Sequence, residues 1–112
     1  MSRQVVEMDE DVLQLGGQIE LAGFRELNSG EMIVIKKIVG NYARRMEEVC
    51  KNFSGLKLKL KPLHQVDDKV RRFELHGQVI DDGQVYPAGV TEHNLFVGVD
   101  SVCKKLVNEI SG

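Results

Sequence analysis

Between Leu56 and Lys61 the chain alternates strictly, with leucine at 56, 58 and 60 and lysine at 57, 59 and 61. Successive side chains of a strand project to opposite faces, so this segment buries its leucines on one side and offers three ammonium groups on the other. A chain that contains such a strand must cover one face of a sheet and leave the opposite face polar. Pro62 has no N–H to give to a neighbouring strand and marks an end or an edge position.

The segments around this strand supply the cover. Asn28 followed three residues later by Glu31 gives a capping-box pattern in variant form, after which Ile35, Val39, Tyr42, Met46, Val49 and Phe53 recur at spacings of four and three. This predicts a helix of about six turns with Lys37, Asn41, Arg44, Arg45, Glu48 and Lys51 on its other side and Gly55 closing it. A second helix is predicted behind Asn94, with Phe96, Val99, Val102 or Cys103, Leu106 and Ile110 as its apolar stripe. Between the helices, "VRRFELHGQVI" alternates Phe73, Leu75, Gly77 and Val79 with Arg72, Glu74, His76 and Gln78. "DDG" makes a hairpin-type turn, and "QVYPAGVT" continues with Tyr86, Ala88 and Val90 facing inward. "IELAGF", Ile19 to Phe24, is the first strand, and the preceding "VLQL" is open to pairing with it as a hairpin across Gly16-Gly17. The fold expected is α+β, a two-layer sandwich of a four-stranded sheet with two helices on one face, in the order β-α-β-β-β-α. Residues 1–17 read as an acidic leader, strand in part or flexible, and residues 18–112 as a single domain.

A length of 112 residues suits one core, and 42% hydrophobic with 29% charged residues is the balance of an ordinary globular chain. No stretch approaches the roughly 20 apolar residues that a membrane span needs. The acidic start "MSRQVVEMDEDVLQ" is unlike a signal peptide, so a cytoplasmic address is expected. Cys50 and Cys103 stand far apart in apolar surroundings and read as buried thiols. His64, His76 and His93 share no ligand spacing, Asp67-Asp68 and Asp81-Asp82-Gly83 are explained by turn chemistry, and no phosphate-loop motif or nucleophile-and-base set occurs. Neither an enzyme nor a metal, cofactor or small-molecule substrate is expected, and His76 reads as a solvated strand residue.

Charge is distributed unevenly. Residues 1–17 hold Arg3 against Glu7, Asp9, Glu10 and Asp11, a net of −3, whereas residues 36–72 hold eleven Lys or Arg against four acids, a net of +7. A basic block of this kind suits a polyanionic partner. Lys57, Lys59, Lys61 and Arg72 would lie together on the polar sheet face, where backbone phosphates accept point charges without demanding fixed geometry. An edge strand protected by lysines is the plainer alternative.

The last helix, "NLFVGVDSVCKKLVNEI", sets a cap, Leu95, aromatic Phe96, small Gly98, branched Val99 and acidic Asp100 ahead of Lys104-Lys105. In this it resembles the C-terminal helix of the ribosome hibernation-promoting factors and ribosome-associated inhibitor proteins, and Gly98 would let the helix lie close on the sheet. More loosely, the resemblance covers residues 18–111: "IELAGFRELNSGEM" is similar to the family's first strand and following loop, "ARRMEEVCKNF" to the end of its first helix, and the later strands fall in the family's order. It implies a non-enzymatic factor that docks on the small ribosomal subunit and blocks translation during stasis. It also implies rRNA contacts at Lys37, Arg44, Arg45 and Lys51 on the first helix and Lys104 and Lys105 on the second. Residues 37, 44 and 51 are seven apart and would share one exposed face of a single helix. The alternative partner is a protein, which could be a second copy of the chain.

Overall fold

The computed structural model describes residues 12–63 and 72–112, and the elements run β1 (Val12–Leu15), β2 (Ile19–Ala22), α1 (Ser29–Val49), β3 (Phe53–Pro62), β4 (Phe73–Asp81), β5 (Gln84–Glu92) and α2 (Leu95–Ser111). His64, the turn "HQVDDK", Asp67-Asp68 and residues 1–11 lie outside the described residues. The strands form one open sheet in sequence order, β2 and β3 parallel and every other neighbouring pair antiparallel.

The sheet therefore has five strands where four were expected. Val12–Leu15 pairs with Ile19–Ala22, Leu15 opposite Ile19, through a turn in which Gly16 and Gly17 take φ of 66° and 89°. Leu13 and Leu15 pack against the core, which gives this short strand an apolar reason to join the sheet.

Register decides which residues share a face. Leu56, Leu58 and Leu60 stand opposite Val79, Gly77 and Leu75, and Leu21 stands beside Leu58 on the other side. These leucines and Val79 are buried with Ile35, Val39, Ala43 and Met46 of α1 and Val99, Val102, Cys103 and Leu106 of α2 in one core. Each buried Leu, Ile, Val or Met among them stabilises the fold by about 1.5–3 kcal/mol relative to leaving it exposed. Both helices thus cover the leucine face, and the two-layer α+β arrangement follows from the period-2 strand and the 3.6-period helices.

Two glycines set how closely α2 lies. A Cβ at Gly98 would fall 2.6 Å from Leu75 Cδ1, and one at Gly77 would fall 2.8 Å from Leu58 Cδ2 and 2.9 Å from Leu106 Cδ1. The helix rests on β4 because neither position has a side chain. Between the helices, Tyr42 Oη donates to Asp100 Oδ1 at 2.9 Å; burial and this partner hold the phenol up at about 12. Cys103 is wholly buried and its thiol is pushed up to about 12, by burial first and then by the Asp100 charge. The half-buried Cys50 is raised to about 11, again by desolvation and then by Asp81.

The end of α1 differs from the sequence expectation. The capping box forms as read, with Glu31 N–H donating to Asn28 Oδ1 at 2.8 Å and Asn28 N–H donating to Glu31 Oε1 at 3.0 Å. At the other end the helix stops at Val49, and Cys50 is already extended. Asp81, a buried acid at the end of β4, accepts the N–H of Asn52 at 2.7 Å and of Lys51 at 3.3 Å and draws the chain out of its helical path. Phe53 is consequently the first residue of β3, packed on the core from a strand, and Gly55 sits at a register shift in that strand instead of closing the helix.

Candidate nucleic-acid interface

The basic side chains singled out in the sequence fall on two opposite surfaces. On the open face of the sheet, Lys57, Lys59 and Lys61 are exposed and stand opposite Gln78, His76 and Glu74 of β4. On their other side Glu20 neighbours Lys57 and Ala22 neighbours Lys59. Arg72 is exposed just ahead of β4, where its carbonyl accepts the N–H of Leu63 at 2.9 Å.

Of the three lysines, which have no intervening acid in the sequence, Lys57 and Lys61 therefore each gain an acid as neighbour in space, and Lys59 stands between Ala22 and His76. Glu20 also accepts from Gln14 Nε2 at 3.1 Å, and Glu74 lies 3.5 Å from His76 Nε2, so both carboxylates are held within the face. Opposite charges on adjacent strands favour each other and lower the field that this face presents to an anion. His76 is a solvated strand residue whose ring lies over Gly89, where a Cβ would come within 3.2 Å of Nδ1.

The helix layer carries the second set. Lys37 and Arg44 lie two turns apart on α1, opposite the buried side of Ile35, Val39 and Met46, with Lys36 and Arg45 exposed beside them. Between Met32 and Met46 the helix has no acid. Both helices run antiparallel to the strands they follow, so they are parallel to each other, and the Tyr42–Asp100 hydrogen bond fixes their relative height. One turn further on, Arg45 of α1 and Lys104 of α2 come to the same level. Arg45 is close enough to Tyr42 for its charge to act on the phenol. Asp100, four residues before Lys104, is engaged by the Tyr42 hydroxyl, and Glu47 and Glu48 follow the row at the end of α1.

Two members of the set stand apart. Lys51 follows the helix, in the bend held by Asp81, so residues 37, 44 and 51 do not share one helix face; the expected stripe ends at Arg44 because the helix itself ends at Val49. Lys105 points to the side, its ammonium donating to the carbonyl of Gly89 on the edge strand β5 at 3.3 Å. With Pro87, this contact blunts that edge against further pairing. Lys36 completes the α1 row and was not singled out in the sequence; its only local signal is that it adjoins Lys37.

Among the described residues, no group of three or more His, Cys, Asp or Glu is placed to hold a metal ion, and no helix is long and apolar enough to cross a membrane. What the two surfaces can do chemically is attract anions through exposed cations.

No protein-family model matches the chain, and no curated protein matches it. Among solved structures it is similar to the N-terminal domain of Thermus thermophilus Protein Y, with a TM-score of 0.50 over 88% of this chain and 97% of that one, at 13% sequence identity. The likeness is one of fold. It agrees with the α+β architecture implied by the hibernation-factor resemblance of the C-terminal helix.

Proposed function

We propose that the chain is a ribosome-associated translation inhibitor of the hibernation type, which binds rRNA of the small subunit through the outer surface of its helix layer and catalyses no reaction. The observation that carries this reading is the row Lys36, Lys37, Arg44 and Arg45 on the middle of α1, uninterrupted by an acid and level with Lys104 of α2. The resemblance of the C-terminal helix supplies the partner, and the fold likeness supports the architecture on which that resemblance rests. The helix layer is preferred to the open sheet face because Glu20 and Glu74 alternate with the sheet lysines, whereas the α1 row has no such interleaving.

The same alternation favours a second reading, in which the open sheet face meets a protein of complementary charge pattern. One experiment separates the two. Reversal of Arg44 and Lys104 together to Glu turns two attractions into two repulsions against a phosphate lattice screened beyond roughly 8 Å at physiological salt. Both side chains are exposed, so the fold tolerates the change, as circular dichroism would register. The parent is expected to co-sediment with small subunits and inhibit cell-free translation, and the reversed protein to do neither. A folded double variant that still sediments and inhibits sinks the helix-layer assignment; a parent that never sediments moves the protein-contact reading ahead.

A further inference from the structure

Glycine is the poorest residue for a helix interior after proline, because it loses the most backbone freedom on folding and packs no side chain. Each helix nevertheless carries one there. Gly98 of α2 is accounted for by its neighbours, since a Cβ at that position would fall 2.6 Å from Leu75 Cδ1. Gly40, near the middle of α1, has no such account. An added Cβ would meet nothing within 4 Å among the described residues, and the φ of Gly40 lies outside the left-handed region. The fold therefore does not call for glycine at this position.

What surrounds Gly40 is charge. Residues three and four apart on a helix are neighbours on one side, so Lys36 and Lys37 stand one turn ahead of Gly40 and Arg44 one turn behind it, all three exposed. At the helical rise, the gap between the lysines and the arginine is about 10–12 Å along the axis. Its floor is backbone. No acid lies between Met32 and Met46, and Glu47, two turns after Gly40, closes the far end.

We infer that this gap seats one backbone phosphate of an RNA strand that crosses α1 at Gly40, with Lys36 and Lys37 on one side of the phosphate and Arg44 on the other. The inference rests on the helix-layer reading and names a point of contact within it. Three cations around a stretch of helix without an acid suit an anion, and a phosphate accepts such charges without fixed geometry. The missing side chain lets the anion come down to the backbone, where all three cations close on it; a methyl or larger group holds it off, and the attraction falls with distance. An RNA strand is favoured over free phosphate because the row continues to Arg45 and Lys104, where a polyanion makes further contacts. An apolar protein segment would instead find Ile33, 67% exposed two turns ahead of Gly40.

The test sets stability against binding. The full chain, Gly40→Ala and Gly40→Leu are melted, and each is titrated with small subunits and with a short RNA hairpin. Both variants place a better helix former in open space and are expected to melt about 2–5 °C above the parent. At unchanged net charge, Gly40→Ala is nevertheless expected to bind both RNAs about threefold more weakly and Gly40→Leu about tenfold or more. A glycine with a merely structural role would not give a gain of stability together with a loss of affinity. Ile33→Ser should leave affinity within about twofold of the parent's. Parent-like binding by Gly40→Leu, while Arg44→Glu with Lys104→Glu abolishes it, overturns the phosphate seat and leaves the helix-layer reading standing; a parent that binds neither RNA overturns both. A lowered melting midpoint for Gly40→Ala would show that the glycine serves the fold and overturns the seat. Loss of subunit binding by Gly40→Leu and Ile33→Ser alike, with hairpin affinity unchanged, gives the surface to a protein contact and overturns it too.

Discussion

The carboxylate of Asp81 accepts the N–H of Asn52 across 2.7 Å, although 29 residues separate the two in the chain. The same side chain takes the N–H of Lys51, and Asp82 N–H donates to the Asn52 carbonyl at 2.9 Å, so the β4–β5 turn holds the exit from α1. Asp81→Ala removes a buried acceptor from two backbone donors and is expected to cost roughly 2–4 kcal/mol, with Asp81→Asn costing less because one acceptor remains. Urea unfolding of the two variants checks the order. Equal stability of Asp81→Ala and the parent would mean that the turn is held by other contacts.

Gly98 lies against Leu75, whose Cδ1 would stand 2.6 Å from an added Cβ and would have to shift within the packed core. Gly98→Leu gains helix propensity of under about 1 kcal/mol but forces α2 off β4, and a net loss of roughly 1–3 kcal/mol is expected. A thermal melt decides it, and an unchanged or raised midpoint would remove the close contact as the reason for glycine there.

Stability should decline in alkali. Cys103 and Tyr42 both hold their protons more tightly in the folded state, each at about 12 against ordinary values of 9.0 and 10.0. Above the ordinary values the unfolded chain releases these protons while the folded chain keeps them, so the stabilisation present below about pH 9 is lost as pH rises toward 12. Urea midpoints measured from pH 8 to pH 11 should fall, and Cys103→Ala, with its lower overall stability, should show a shallower fall. The raised thiols also predict slow alkylation of native Cys103 at pH 8, with fast reaction in urea.

Phosphate contacts act as charges, so Lys37→Ala, Arg44→Ala and Lys104→Ala should each weaken small-subunit binding modestly and lower the slope of log affinity against log salt by about 1. Affinity measured from about 50 to 200 mM salt gives the slope. Variants that lose affinity with no change of slope would place these residues outside the phosphate contacts.

Changing Lys57, Lys59 and Lys61 together to Gln should leave stability within about 0.5 kcal/mol, since all three side chains face solvent. Loss of subunit binding is expected to be smaller than for the reversed helix pair, because Glu20 and Glu74 already offset these lysines. A triple variant that abolishes sedimentation would transfer the RNA interface to the sheet.

For most elements, the type and the buried side are legible in short stretches of sequence. Leu56 to Lys61 names its own faces through an i, i+2 period; Asn28, Glu31 and Asn94 name the helix starts through bonds that span three residues; and Val99, Val102 and Leu106 name the inner side of α2 through an i, i+3, i+4 period. All of these are local relations, written within one or two turns of chain. The end of α1 is set by a distant contact: the apolar period runs on to Phe53, and the acceptor that breaks it comes from Asp81, 29 residues from Asn52. The tertiary structure also decided that Val12–Leu15 joins the sheet as a fifth strand, that Glu20 and Glu74 flank the sheet lysines, and that the basic residues divide between two faces. Pairing and register bring together residues remote in sequence, and hydrophobic periodicity has no term for which remote neighbour a strand or a helix end will meet.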